Sequence, residues 1–254
     1  MLIKPQNIQD VPVIEVIEDA LIDQPLPLVV FYHGWRSRND LVLTQARKLA
    51  AKRLRVILPD AINHGQRVQP VSSLPSFTFW NSIQGNLAEF DLLIQTYQRR
   101  GLILNNQIGV GGYSMGGMTT GALLTHHPEI TAAAIIMGTP NLNAYAELVR
   151  HYAAKQHVYL PTAMADLTGW IDAFDLNLHP ETIAKRPLLF WHGTADERIP
   201  YQQARDFFDR IHHEAYGQQT AFITGYQAQH LVKIPLMEKV ANFFDYYLNQ
   251  TEHL

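Results

Sequence analysis

Gln107-Ile108-Gly109-Val110-Gly111-Gly112-Tyr113-Ser114-Met115-Gly116-Gly117 decides how the rest of the chain is read. Its first five residues read as a short buried strand. From Gly117 to His126 the residues Met118, Leu123 and Leu124 recur at roughly helical spacing. A serine with a glycine two residues away on each side, between strand and helix, is the nucleophile elbow pattern. The turn is so tight that a side chain at either glycine would clash, and the serine hydroxyl projects from a strained backbone. The helix N-terminus that follows offers free N–H groups able to stabilise an oxyanion. The same glycines would also suit an ordinary strand-to-helix turn with Ser114 capping the helix. The remaining chain has to decide between the two.

Composition narrows the classes. At 254 residues the chain fits one α/β domain over 1–254, long enough for a large core. Hydrophobic residues make up 47% and charged residues 17%, so the chain is globular and not disordered. A formal net charge of -3 offers no electrostatic case for nucleic acid or an anionic membrane. Cysteine is absent, which excludes disulfides, thiolate metal sites and a cysteine nucleophile, and is compatible with a reducing cytosol. The N-terminus lacks a basic segment followed by an apolar core, and no stretch approaches the roughly 20 apolar residues needed to span a bilayer. These features predict a cytoplasmic protein, monomer or homodimer, without a nucleic-acid or membrane partner.

Outward from the elbow, apolar strands alternate with helices. Val11 to Glu18 reads as an early edge strand or hairpin arm, Pro12 favouring an edge. Leu28 to Tyr32, Val56 to Leu58, Ala132 to Met137 and Leu188 to Trp191 read as buried strands, and Thr220 to Thr224 as a weaker one. Helices are predicted from about Asn39 to Lys52, Phe79 to Arg100 (stopped by Gly101), Tyr201 to His213 and Leu231 to Leu248. This alternation implies a mostly parallel central sheet with helices on both faces. Reactive groups in such sheets gather at the carboxyl ends of the strands. One segment, about 141–185, is longer than a crossover helix needs. Tyr145, Leu148, Val149 and Tyr152, then Leu167, Trp170, Ile171 and Phe174, sit there at helical spacing. It reads as a helical cap over the site.

A serine hydroxyl needs a histidine to take its proton and an acid to orient that histidine. In an elbow fold the order is serine, acid, histidine, with both partners in loops at strand ends. After the last predicted strand only His230 and His253 remain, and His253 sits in the C-terminal tail. His230 lies in a loop just before the final helix, where a catalytic base belongs. Asp196 follows the strand Leu188 to Trp191 after Gly193-Thr194, with adjacent Glu197 as its rival. An oxyanion hole needs two N–H groups aimed at one point. Met115 supplies one, and Trp35 in His33-Gly34-Trp35 is favoured for the other, with Gly34 letting the chain turn inward and His33 a structural loop residue. Gly34 and Tyr113 beside the nucleophile, and Tyr145 and Trp170 from the insertion, are candidate substrate contacts.

Taken together, His33-Gly34, Gly112-Tyr113-Ser114-Met115-Gly116-Gly117, His192-Gly193-Thr194-Ala195-Asp196 and His230 resemble the α/β-hydrolase superfamily. The chain is most similar to small bacterial carboxylesterases of the prolyl-oligopeptidase and dienelactone-hydrolase-like branch, from about Leu28 to Leu248. The resemblance implies that Leu58-Pro59-Asp60-Ala61-Ile62-Asn63-His64-Gly65 shapes the site rim, which makes His64 a further substrate contact. Unlike the dienelactone hydrolases the nucleophile is serine, and the length leaves no room for the propeller of the prolyl peptidases.

The expected activity is hydrolysis of small-molecule carboxylic esters with short acyl chains, through Ser114, His230 and Asp196 and without a cofactor or metal. Thioester or amide cleavage at the same site, and a non-catalytic binding protein of this fold, are the alternatives. The pairs His126-His127 and His212-His213 lack the i, i+4 spacing of a helical metal site, and no phosphate loop is present.

Overall fold

The computed structural model describes residues 1–69, 72 and 74–249. Eight strands form one sheet in the order β1-β2-β4-β3-β5-β6-β7-β8. They are β1 (Leu2–Ile8), β2 (Val11–Ile17), β3 (Leu26–Tyr32), β4 (Arg55–Pro59), β5 (Ile103–Tyr113), β6 (Ala132–Ile136), β7 (Leu188–Gly193) and β8 (Thr220–Gly225). β2 pairs antiparallel with both β1 and β4, and all pairings from β4 through β3 to β8 are parallel. Every residue of β3, β4, β6 and β7 is buried, as continuous apolar runs covered on both faces require.

Two apolar layers cover the sheet. On one face α1 (Leu43–Ala50) and α8 (Ile234–Asn249) pack through Ala46, Leu49, Val240 and Phe244. On the other lie α2 (Pro75–Arg99), α3 (Met115–Leu124) and α7 (Tyr201–Ile211), contributing Phe90, Met118 and Phe207 among others. Three further helices, α4 (Leu142–Lys155), α5 (Met164–Leu167) and α6 (Ile171–Phe174), occupy the long segment between β6 and β7. Asn141 caps α4 by accepting the Ala144 N–H at 2.9 Å, and buried Asp175 ties the segment together by accepting Asn143 N–H and Nδ2–H.

The architecture matches the expected mostly parallel α/β sheet, with four local differences. β1 is an edge strand that sequence periodicity does not announce, because its residues are largely polar and its hairpin partner holds it in register (Leu2↔Ile17 to Ile8↔Val11). β2 is therefore a hairpin arm but not an edge. Pro12 precedes Val13, the first residue paired with β4, so its missing N–H interrupts no part of that ladder. The span predicted as one helix from Asn39 divides into a 3₁₀ turn, Asn39–Val42, followed by α1. α2 begins at Pro75, a favoured first helical residue, and ends where Gly101 adopts φ +67°.

The elbow fixes the geometry of everything around it. A Cβ at Gly116 would stand 2.3 Å from the Tyr32 carbonyl oxygen, and one at Gly112 would stand 2.4 Å from the Gly116 carbonyl carbon. Both obstacles are backbone, so no rotamer change can relieve them. Gly116→Ala is expected to cost about 3 kcal/mol, lowering the unfolding temperature by roughly 6 to 12 °C. Calorimetry or a circular-dichroism melt tests this, and a melt indistinguishable from wild type would contradict it.

Candidate active site

β3, β5, β6, β7 and β8 run parallel, so the loops after them meet at one edge of the sheet. Ser114 sits between β5 and α3 with φ 57° and ψ -114°, a strained backbone for a non-glycine residue. Asp196 follows β7, and His230 follows β8. Ser114 Oγ–H donates to His230 Nε2 at 2.9 Å, and His230 Nδ1–H donates to Asp196 Oδ2 at 2.6 Å. This relay lets an imidazole accept a serine proton while a carboxylate stabilises the charge it acquires. Glu197, the rival acid, is exposed and has no ion-pair partner among the described residues.

The Asp196 side chain is fully buried. Burial alone would raise its pKa. Hydrogen bonds from His192, His230 and the Ile199 N–H outweigh that and hold the carboxyl well below the usual carboxylate range. Asp196 thus stays charged and oriented throughout the neutral range.

The two candidate oxyanion donors flank the serine. Met115 is the first residue of α3, where the N–H has no intrahelical acceptor, and among the described residues Trp35 N–H bonds to no backbone carbonyl. The Gly34 loop crosses the elbow closely: a Cβ on Gly34 would lie 3.5 Å from both Ser114 Cβ and the Tyr113 carbonyl oxygen.

A cleft of about 410 Å³ opens over Ser114 and His230. Of the candidate substrate contacts, Gly34, Tyr113 and Tyr145 line it, as does Trp35. His64 and Trp170 do not. His64 stands behind Trp35, ring centroids 4.9 Å apart, because its nitrogens are committed to the backbone: Nδ1–H donates to Ile62 O and Nε2 accepts the Arg36 N–H. Trp170 stands behind Trp80, 6.2 Å away. The remaining wall includes Phe79 and cap residue Val149, together with Leu41, Met137 and Arg198, which sequence reading did not assign to the site. Met137 and Arg198 carried a usable signal, one ending a strand beside the elbow and the other two residues past Asp196. The turn that brings Leu41 to the mouth carried none.

His33 resembles His64 in using both nitrogens on backbone. Its Nδ1–H donates to Gly34 O at 2.8 Å and its Nε2 accepts the Ala61 N–H at 3.1 Å. Burial pushes its pKa down to about 4, so the 3.9 Å approach of Asp60 is not an ion pair at neutral pH. This is the structural role expected for it.

A parallel sheet whose carboxyl edge carries an elbow serine hydrogen-bonded to a histidine and a buried aspartate defines the class of α/β-hydrolases. Within that class the chain belongs to the prolyl oligopeptidase family, which residues 84–251 match. It is a hydrolase. The Bacillus subtilis protein YitV, provisionally named an esterase, is 32% identical over 253 residues, covering 97% of this chain and 99% of that protein. The Escherichia coli esterase YjfP is 31% identical over 207 residues, covering 80% and 81%. TT1662 from Thermus thermophilus shares the fold, with a TM-score of 0.75 at 17% identity over 98% of this chain and 99% of that one. Among the described residues no helix is long and apolar enough to cross a membrane.

The neutral, buried His33 makes stability depend on pH. Above 6.5 both folded and unfolded chains hold this imidazole neutral; between 6.5 and about 4 only the unfolded chain takes up the proton. Folding stability should therefore fall by about 3 kcal/mol across that interval from this group. Asp196 adds stability that is lost only below its unfolded value of 3.8. Urea unfolding at pH 7 and pH 4.5 should show the loss, smaller in His33→Asn; equal slopes for both proteins would refute it.

Proposed function

We propose that the chain is a serine esterase in which Ser114, His230 and Asp196 form the triad. Ser114 Oγ attacks the ester carbonyl as its proton passes to His230 Nε2, and Asp196 holds the resulting imidazolium. The Trp35 and Met115 amides stabilise the negative oxygen of the tetrahedral intermediate. His230 then returns the proton to the departing alcohol as the ester C–O bond breaks. Water, deprotonated by the same histidine, attacks the acyl-enzyme and releases the acid, and the proton passes back to Ser114. The observation that carries this reading is the unbroken relay, 2.9 Å and 2.6 Å, facing the cleft. The esterase names of two relatives support an ester as the bond cleaved.

The segment bearing α4 to α6 acts in this reading as a cap on a single α/β-hydrolase domain. Its Tyr145 and Val149 line the cleft together with Met137, which follows the strand paired with β5 beside the serine. Bulky side chains at these positions limit the acyl half of the substrate, which favours short chains.

Hydrolysis of p-nitrophenyl acetate, butyrate and octanoate at pH 7 to 8 tests both statements. Wild type should turn over the first two with the higher kcat/KM, and Ser114→Ala should lose about 10³-fold or more while remaining folded. Better turnover of octanoate would remove the short-chain assignment. Cleavage confined to a parallel thioester or arylamide series would move the activity to another acyl bond. Asp196→Asn should lose about 10⁴-fold in kcat, as a triad acid does. Exposed Glu197→Gln should stay within about twofold on the same substrates, and the reverse order would exchange their roles.

A further inference from the structure

Asp196 receives more donors than a triad acid requires. Its Oδ1 accepts the amide N–H groups of Arg198 at 2.9 Å and Ile199 at 3.0 Å, fixing the plane of the carboxylate. Its Oδ2 accepts His230 Nδ1–H and also stands 3.1 Å from Nε2 of a second histidine, His192. His192 is 0% exposed, near the end of β7. The same Nε2 lies 3.0 Å from the Ile199 carbonyl oxygen. Both neighbours are acceptors, so Nε2 carries the proton: it donates to the Ile199 carbonyl oxygen, with Asp196 Oδ2 within reach of the same N–H. Nδ1 has no hydrogen-bond partner among the described residues.

A histidine serving only to pack the loop would be expected to satisfy both nitrogens, as His33 and His64 do. His192 instead leaves one buried nitrogen unpaired, an arrangement disfavoured unless the other nitrogen makes a strong bond. A charged carboxylate is the strongest acceptor within its reach.

We propose that His192 is a positioning residue of the triad: it holds Oδ2 of Asp196 and divides that oxygen between two imidazole donors. The proposal rests on the Ser114–His230–Asp196 reading. A carboxylate oxygen already engaged by one N–H is a weaker acceptor for the next, so His192 moderates the pull of Asp196 on the His230 proton. Few other ionisable groups reach this point. Tyr145 of α4 feels the charges of Asp196 and Arg198, Glu197 points into solvent, and Tyr201 of α7 meets His192 edge-on at 6.0 Å.

The test follows phosphonylation of Ser114 by a fluorophosphonate as a function of pH in wild type, His192→Leu and His192→Gln. The reagent needs an activated serine but no particular substrate. Leucine removes the donor, whereas glutamine can return an N–H near the position of Nε2. In His192→Leu the plateau rate should fall about tenfold, as for loss of an outer-layer ligand contact. Its acid limb should move to higher pH by about half a pH unit, a further loss of roughly threefold on that limb. Glutamine should bring the limb back toward wild type. An even loss at every pH, or a limb moved to lower pH, overturns the proposal and leaves His192 a packing residue. Absence of labelling in wild type would instead overturn the serine-hydrolase reading. Nitrogen-15 NMR of histidine-labelled wild type gives a readout independent of variant folding and of activity. A proton on His192 Nε2 with a bare Nδ1 at neutral pH supports the proposal, and a proton on Nδ1 overturns it.

Discussion

The contact on which the rest depends is backbone against backbone at the elbow. Gly116 passes so near the Tyr32 carbonyl, and Gly112 so near Gly116, that neither position has space for a methyl group. Because carbonyl oxygens and Cα atoms cannot rotate away, β3, β5 and α3 are locked at a separation set by covalent geometry and not by packing. That separation forces Ser114 to φ 57°, where its hydroxyl points away from the sheet edge and into the cleft. It also puts the free end of α3 beneath the same hydroxyl. Strain, the orientation of the serine hydroxyl and the free helix end beside it thus have one cause.

A second backbone contact joins Asp196 to His230. β7 and β8 remain paired to Gly193↔Gly225, and beyond that the loops still exchange hydrogen bonds, Thr194 N–H to Gly225 O and Ala195 N–H to Ala228 O. Gly193 lies so close to the Ala228 carbonyl that a Cβ would come within 2.2 Å of it. Asp196 and His230, 34 residues apart in the chain, are consequently held as one rigid pair. Rigidity matters because a carboxylate kept charged in a buried place is stabilising only while its donors stay where they are.

Legibility in the sequence follows the range over which each feature is determined. The central strands could be read because burial on both faces demands unbroken apolar runs, and Leu26–Tyr32 and Ala132–Ile136 are such runs. The elbow could be read because its glycines answer to a turn five residues long, Gly112 to Gly116. That Asp196 and His230 would lie beside Ser114 could be read because chain order and strand ends restrict where residues after β7 and β8 stand. β1 could not, since a polar edge strand is specified by its partner's register. Nor could the inward turn of His64 and the retreat of Trp170 behind Trp80, which depend on what surrounds each ring. The same limit hid His192: its place in the motif was visible, but the direction of its Nε2 was not.

With 12 histidines in the chain, the hydrogen-bond accounting of individual nitrogens separates His230 from its neighbours. His33 and His64 lie beside the elbow loop, close enough in sequence pattern to be rivals, yet each spends both nitrogens on backbone groups and is held neutral by burial. A base must keep one nitrogen for the nucleophile and use the other to fix its ring. His230 does this, with Nε2 toward Ser114 and Nδ1 on a carboxylate instead of a carbonyl. The difference between carbonyl and carboxylate is what separates a structural imidazole from a proton carrier. Either acceptor can orient the ring, but only the charged one offsets the positive charge that proton transfer creates.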